Sequence, residues 1–236
     1  MSKYKRVLLK LSGEQFSGGK GMGIDPEFMG WVAEEIKKAA DTGVQIVVVA
    51  GAGNFIRGAD FAGRGIDRAT ADYMGMISGV LNGQALMDIM KHTGQDTRVM
   101  TNIKMDEVAE PFIRRKAIRH LEKGRVVIVA GGSGKPFFTH DTAGVNIALE
   151  LSCDIFLKST KVDGVYDKDP EHNHDAVKLD HVTYQQALEN PNIYVMDKAA
   201  LGLAMEQKMP VRIFKLEENA IRRVAEGEDL GTLISS

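Results

Sequence analysis

The feature that most constrains this chain is a series of short apolar runs that are continuous rather than alternating: Val7 to Leu11, Gln45 to Ala50, Arg98 to Met100, Arg125 to Ala130, Ile155 to Leu157, Val211 to Phe214 and a shorter Thr232 to Ile234. A strand with one wet face alternates apolar and polar residues, whereas an unbroken apolar strand is covered on both faces, as in a largely parallel sheet with helices above and below. Helical patterns fill the gaps. Asp25 and Pro26 read as an N-cap and first-turn proline opening a helix to about Asp41, with Gly43 just beyond it. Ile113 to Lys123 reads as a helix ended by Gly124. Asp72 to Thr93 reads as a long one whose Gly75, Gly79 and Gly83 permit close packing. Its methionines read as core or subunit interface, a modest hint of oligomerisation.

At 236 residues and 44% hydrophobic, the chain can bury one large core, so an α/β fold in a single domain is expected. A net charge of -2 gives no electrostatic footprint for nucleic acid as the main partner. The lone Cys153 excludes an internal disulfide and suits a reducing cytosol. Val7 to Leu9 is too short for a signal-peptide core or a membrane span, so a soluble, cytoplasmic protein is expected.

Four strand ends stop in small or polar residues: Lys10-Leu11-Ser12-Gly13-Glu14, then Gly51-Ala52-Gly53-Asn54 with Arg57 and Gly58 following, then Gly131-Gly132-Ser133-Gly134-Lys135-Pro136, and finally the stretch from Lys158 to Pro170. The last mixes lysines, carboxylates, a tyrosine and a glycine, a set that reads as a ligand-binding loop rather than core. Parallel strands bring such ends to one edge, where glycines let backbone N–H groups approach an anion. Two familiar motifs fail: Ile56 stands where a dinucleotide fingerprint needs its third glycine, and Gly134-Lys135 lacks the earlier glycine and the following Ser or Thr of a P-loop. Phosphate binding by the four ends together is the reading that remains. His172-Asn173-His174 lacks a spaced third ligand, and no metal site is assigned there.

Lys10 to Glu14, Gly51 to Gly58, Asp72-Tyr73-Met74-Gly75-Met76, Pro136-Phe137-Phe138-Thr139 followed by Asp141, and Thr160 to Asp169 together resemble the bacterial uridylate (UMP) kinases of the amino acid kinase family, in order over almost the whole chain. The resemblance implies a three-layer α/β/α sandwich with a mainly parallel central sheet, an acceptor-binding part over roughly 1–150 and an ATP-binding part over roughly 151–236. It implies transfer of the ATP γ-phosphoryl group to UMP, Mg carried by the ATP phosphates, a homohexamer, and GTP and UTP as effectors.

Residue by residue, the resemblance makes Lys10, Arg57 and Asp141 catalytic, with Asp141 holding Lys10. It places Lys10, Leu11, Ser12, Gly13, Gly53, Arg57, Thr160, Tyr166 and Asp169 on ATP. Ala52, Asp72 and the run Ser133, Gly134, Lys135, Pro136, Phe137, Phe138, Thr139 and His140 fall on UMP, Asp72 as an acceptor of ribose hydroxyls unless it only caps its helix. Gly18, Gly19, Lys20, Gly21, Met22 and Gly23, with Arg98 and Arg125, fall on effector control. The family pattern has glycine at Ala52, asparagine at Lys135 and threonine at His140, so the departures gather on the acceptor side; Lys135 is a candidate partner for the acceptor phosphate. Two other readings stand beside this one: a kinase of the same fold acting on a different small acceptor, and a non-catalytic nucleotide-binding regulator or storage protein.

Overall fold

The computed structural model describes residues 2–56, 65–170, 172–193 and 195–236. Its centre is a sheet whose described strands are β1 (Arg6–Leu11), β2 (Gln45–Ala50), β3 (Thr97–Thr101), β4 (Glu110–Pro111), β5 (Val126–Ala130), β6 (Ile155–Thr160), β9 (His181–Thr183), β10 (Val211–Lys215) and β11 (Thr232–Ser235), ordered β4-β3-β5-β2-β1-β6-β10-β11-β9. A small antiparallel ribbon pairs β7 (Val165–Tyr166) with β8 (Lys178–Leu179). From β4 to β10 all neighbours are parallel; β11 runs antiparallel to β10 and carries β9 parallel to itself.

Helices cover both faces, as continuous apolar strands require. One face packs α1 (Pro26–Ala40), α2 (Arg68–His92) and α7 (Ala220–Glu226) through Met29, Ile36, Leu86, Met90 and Ile221 against Val7, Leu9, Val48 and Ile128. The other packs α3 (Arg114–Glu122), α4 (His140–Glu150), α5 (Tyr184–Glu189) and α6 (Lys198–Glu206) through Leu121, Val145, Ala187 and Leu201 against Leu8, Val47, Val129 and Phe156. Cys153 is buried in this second layer, where burial pushes its thiol up to about 12.

Two boundaries that bear on the site differ from the sequence reading. The long helix begins at Arg68, capped by Asp67, whose carboxylate accepts from the Ala69 and Thr70 N–H groups, so Asp72 is not a cap but lies one turn inside. Strand β6 continues through Lys158, Ser159 and Thr160, so the polar stretch begins inside the sheet and Ser159 is fully buried. On α2, Met76 and Met90 are core, while the exposed apolar face is Tyr73, Ile77 and Leu81. Gly79 and Gly83 do allow close packing, against Ala50 and His140 and against Ala130 and Ile128 respectively, all within this chain.

The turn into β11 fixes the ribbon that overhangs the sheet edge. Thr232 Oγ1 accepts from Val165 N at 2.8 Å and donates to Leu179 O at 2.5 Å, tying β7 and β8 to the last strand. Gly231, just before it, has φ +78° and would bring any Cβ to 2.0 Å from Ile213 O. Gly231→Ala is therefore expected to cost at least about 2 kcal/mol, from left-handed backbone strain plus a clash with a main-chain carbonyl that cannot move aside. Urea denaturation monitored by circular dichroism checks it through a lowered midpoint at unchanged slope.

Candidate active site

Register and parity build the centre of the site. In the parallel pair β1·β6, Lys10 lies opposite Lys158. Leu8 and Phe156, two residues earlier on each strand, face the layer that holds α4, so Lys10 and Lys158 face it too. Two ammonium groups side by side repel, and burial raises the cost. Asp141, in the first turn of α4, meets both. Lys158 Nζ donates to Asp141 Oδ2 at 2.6 Å and to Val195 O at 2.5 Å, and Lys10 Nζ lies 3.0 Å from Asp141 Oδ1. All three side chains are only 11–13% exposed. Lys10 meets Asp141 through one carboxylate oxygen, and an ammonium with three N–H groups keeps donors for a ligand. Burial alone would raise the Asp141 carboxyl, but the two adjacent ammonium groups outweigh it and hold the pKa below the usual carboxylate range. Burial lowers Lys158, with Asp141 opposing and Lys10 adding to the fall.

Glycine turns surround this triad. A Cβ on Gly13 would fall 2.4 Å from Gly53 N and 2.7 Å from Ala52 N, so the turns after β1 and β2 interlock backbone against backbone, leaving no room for a side chain. Gln15 holds the first turn by accepting from Ser12 N at 2.9 Å; Ser159 Oγ lies 2.9 Å from the same Gln15 oxygen and 3.1 Å from Lys10 O. Two helix N-termini, those of α4 and α6, are joined at the far wall. Thr139 caps α4, accepting from Asp141 N and Thr142 N, and donates to Asp197 Oδ2 at 2.5 Å. Asp197 caps α6, accepting from Ala200 N at 3.0 Å, and also receives Thr142 Oγ1 at 2.8 Å.

The resulting cleft of 350 Å³ is lined by Lys10, Ser12, Gly13, Ala52, Gly53, Asp72, Phe138, Thr139, His140 and Asp141, ten of the residues expected from sequence, together with Arg68 and Asp197. Asp72 accepts from Phe137 N at 2.9 Å and from Arg68 Nε at 2.9 and 3.1 Å, which joins α2 to the 131–140 loop across the cleft mouth. Phe137 and Phe138 are 68% and 53% exposed, so neither is core. The Arg68 guanidinium stands 6.0 Å from the centre of the Phe137 ring. His140 Nε2 is buried without a partner although part of the residue reaches solvent; burial and then the Lys10 charge lower its pKa to about 4, against a smaller opposing effect of Asp141. Ser133, Gly134, Lys135 and Pro136 stand outside this lining, with Lys135 exposed.

Thr160, Tyr166 and Asp169 line a neighbouring cavity of 450 Å³. A third, of 680 Å³, borders both, sharing Thr160 with one and Glu14 and Gly53 with the Lys10 cleft. Gly18, Gly19 and Gly21 line it as well. Arg98 and Arg125 lie at the opposite, amino-terminal edge of the strands, both paired with Asp96, so the structure does not bring them to the Gly18 to Gly23 segment. Arg57 and Gly58 lie outside the described residues. Among the described residues no cluster of three or more His, Cys, Asp or Glu is placed to hold a metal, and no helix is long and apolar enough to cross a membrane.

Sequence reasoning placed Lys158 at the head of the ligand-binding stretch without its pairing to Lys10 and Asp141, and missed Arg68 and Asp197 as members of the site. Lys158 had a signal, the alternation of side chains along a strand extended by one more pair; Asp197 had only a local N-cap pattern, because its partner Thr139 is far away in sequence.

The amino acid kinase family model matches residues 5–215. The chain is 50% identical to a uridylate kinase of a Nocardioides species over 100% of both chains, and 47% identical to one of Xanthomonas oryzae pv. oryzae over 98% of this chain and 96% of that one. It superposes on the crystal structure of UMP kinase from Bacillus anthracis with a TM-score of 0.94 and 39% identity, covering 98% of this chain and 96% of the other.

If Lys158 acts as a cation, its lowered pKa brings the loss of charge to lower pH than the ordinary value of 10.5 for lysine. The group is charged below its pKa, so turnover is expected to fall on the alkaline side below pH 10.5, and Lys158→Arg should move that limb upward because guanidinium stays protonated. A pH profile of kcat for both proteins checks the sign; coincident limbs would assign the titration elsewhere. On these grounds the chain belongs to the amino acid kinase family, among its uridylate kinases.

Proposed function

We infer that this protein transfers the γ-phosphoryl group of ATP to UMP, giving UDP and ADP. The observation that carries the reading is the paired Lys10 and Lys158 on one carboxylate, facing interlocked glycine turns. Such transfer needs alignment of two polyanions and neutralisation of spreading charge rather than a covalent intermediate. Lys10 sits where donor and acceptor phosphates meet and stabilises the transferring group; Asp141 holds it there through one carboxylate oxygen. The backbone N–H groups around Gly13, Ala52 and Gly53 receive phosphate oxygens. The N-termini of α4 and α6 add their positive dipole ends.

Thr160, Tyr166 and Asp169 take the adenosine side, and the cavity between them and Gly53 is the path of the ATP phosphates. Asp72, Phe138, Thr139 and His140 form the acceptor side, so the single domain divides functionally near residue 150. Mg accompanies ATP on its phosphates and supplies further neutralisation of the transferring charge. The residues fit an ion carried by the nucleotide: the cleft offers cations and N–H groups to phosphate, and its central carboxylate, Asp141, is committed to two lysines. The exposed Tyr73, Ile77 and Leu81 stripe on α2 is a face for another copy of the chain, in keeping with a homohexamer. GTP and UTP as effectors and a cytosolic location belong to the same reading.

With ATP and Mg, the purified protein is expected to release ADP with UMP in preference to CMP, dTMP, aspartate and carbamate. ADP formation with none of the nucleotides would move the protein to the binding class. Asp141→Asn should lower kcat about 10²–10³-fold with a smaller change in KM, as for loss of a group that organises transition-state charge. It should also destabilise the fold by about 3–5 kcal/mol, since two buried ammonium groups lose their counterion. Lys135→Ala should raise KM for UMP if that exposed lysine reaches the acceptor phosphate; an unchanged KM removes it from the site.

A further inference from the structure

The side-chain amides of Asn54 and Asn82 form a closed reciprocal pair beneath the phosphate-side turn. Asn54 Nδ2 donates to Asn82 Oδ1 at 2.9 Å, and Asn82 Nδ2 donates to Asn54 Oδ1 at 2.8 Å. Each amide has one N–H left. That of Asn54 goes to Gly23 O at 2.8 Å, and that of Asn82 to Gly51 O at 2.7 Å. Gly23 N in turn donates to Asn54 O at 2.8 Å. The two carbonyls fix the amide orientation, because rotating either amide by half a turn would set oxygen against oxygen at a carbonyl and nitrogen against nitrogen within the pair. Asn54 is 2% exposed and Asn82 0%, so all four N–H groups are matched in a place sealed from water.

An apolar pair could fill this space between α2 and the sheet. A reciprocal amide pair does something different, since it fixes two separate loops to one helix position. On one side is the segment ending at Gly23, which follows the Gly18, Gly19 and Gly21 wall of the 680 Å³ cavity. On the other is Gly51, the first residue of the turn that interlocks with Gly13 beside Lys10. We propose that Asn54 and Asn82 are positioning residues that couple the segment ending at Gly23 to the Gly51–Gly53 turn, so that ordering one orders the other. The ligand-linked half of this rests on the reading that the turn receives a substrate phosphate. The coupling is reciprocal by thermodynamic necessity: occupation of the turn protects Gly23, and immobilising the Gly23 segment tightens the turn.

Hydrogen–deuterium exchange on the full-length protein, with and without saturating UMP, tests this on the wild type, Asn82→Ala and Asn54→Ala, with Asn82→Ser as the alternative should either alanine variant fail to fold. Without nucleotide, removal of either amide should speed exchange of the amides at 22–24 and 51–55 roughly tenfold while β1, β5 and the middle of α1 stay unchanged. With UMP, the wild type should gain protection at 22–24 as well as at 51–55, and Asn82→Ala should lose the former. Unaltered exchange at 22–24 in the variants, UMP protection there that survives Asn82→Ala, or an acceleration spread evenly over the sheet would overturn the proposal, the last by reducing the pair to general stability. Absence of UMP protection at 51–55 in the wild type would instead sink the assignment of the phosphate seat, and the nucleotide-free comparison would still decide whether the pair couples the loops.

Discussion

The placement of Lys10 opposite Lys158 in adjacent parallel strands is the constraint from which the rest of the site follows. Two cations in register on a nearly buried face are untenable without a counterion, and that counterion has to come from the covering layer, because the strands themselves are apolar. Asp141 supplies it from the first turn of α4, where the helix dipole also favours a carboxylate. One carboxylate between two ammonium groups leaves a local excess of positive charge in a chain whose net charge is -2. The triad's one unit of excess positive charge is therefore set by strand register at one sheet edge, with Asp72 and Asp197 on the cleft wall beside it, and owes nothing to overall composition.

Around that triad the backbone does most of the remaining work. The Gly13 turn and the Gly51–Gly53 turn touch so closely that each excludes a side chain from the other, and the result is a floor of peptide N–H groups rather than of side chains. The walls are tied to each other across long sequence distances by single polar contacts: Phe137 N to Asp72, Thr139 to Asp197, Ser159 to Gln15. Each joins the 131–140 loop or the first turn to another part of the fold. A substrate that bridges the cleft thus meets a surface already held in shape, which reduces the ordering cost of bringing two anions together.

The sheet was legible because continuous apolar runs report burial on both faces, and the four polar strand ends were legible because parallel connections must bring them to one edge. What escaped has definite causes. Strands β4, β7, β8 and β9 are two or three residues long, too short for any periodicity to show. Arg68 to Ala71 offer only two small alanines as apolar residues, so the helix start at Asp67 was hidden and Asp72 took the place of the cap. Lys158 reads as the end of a strand because a lysine interrupts apolarity, yet the strand runs on and buries it against Asp141. Asp197 is a good N-cap in sequence, but the position of α6 against α4 is a tertiary fact that no local pattern encodes.

The three residues that the sequence resemblance marks as departures sit in physically distinct environments. Ala52 is buried in the floor, so its methyl changes the shape of the cleft there. His140 carries a titratable ring, but burial and the neighbouring Lys10 hold it neutral down to about pH 4, so near neutral pH it adds bulk without adding a third cation to the Lys10–Lys158 pair. That bulk is accommodated because Gly79 faces it: a Cβ there would come within 3.3 Å of His140 Nε2. Only Lys135 adds charge, and it does so on the exposed loop outside the cleft lining, where solvent screens it. The charges of the Lys10-Lys158-Asp141 triad are therefore insulated from the departures, which bear on the shape of the cleft and on the charge of the loop beside it.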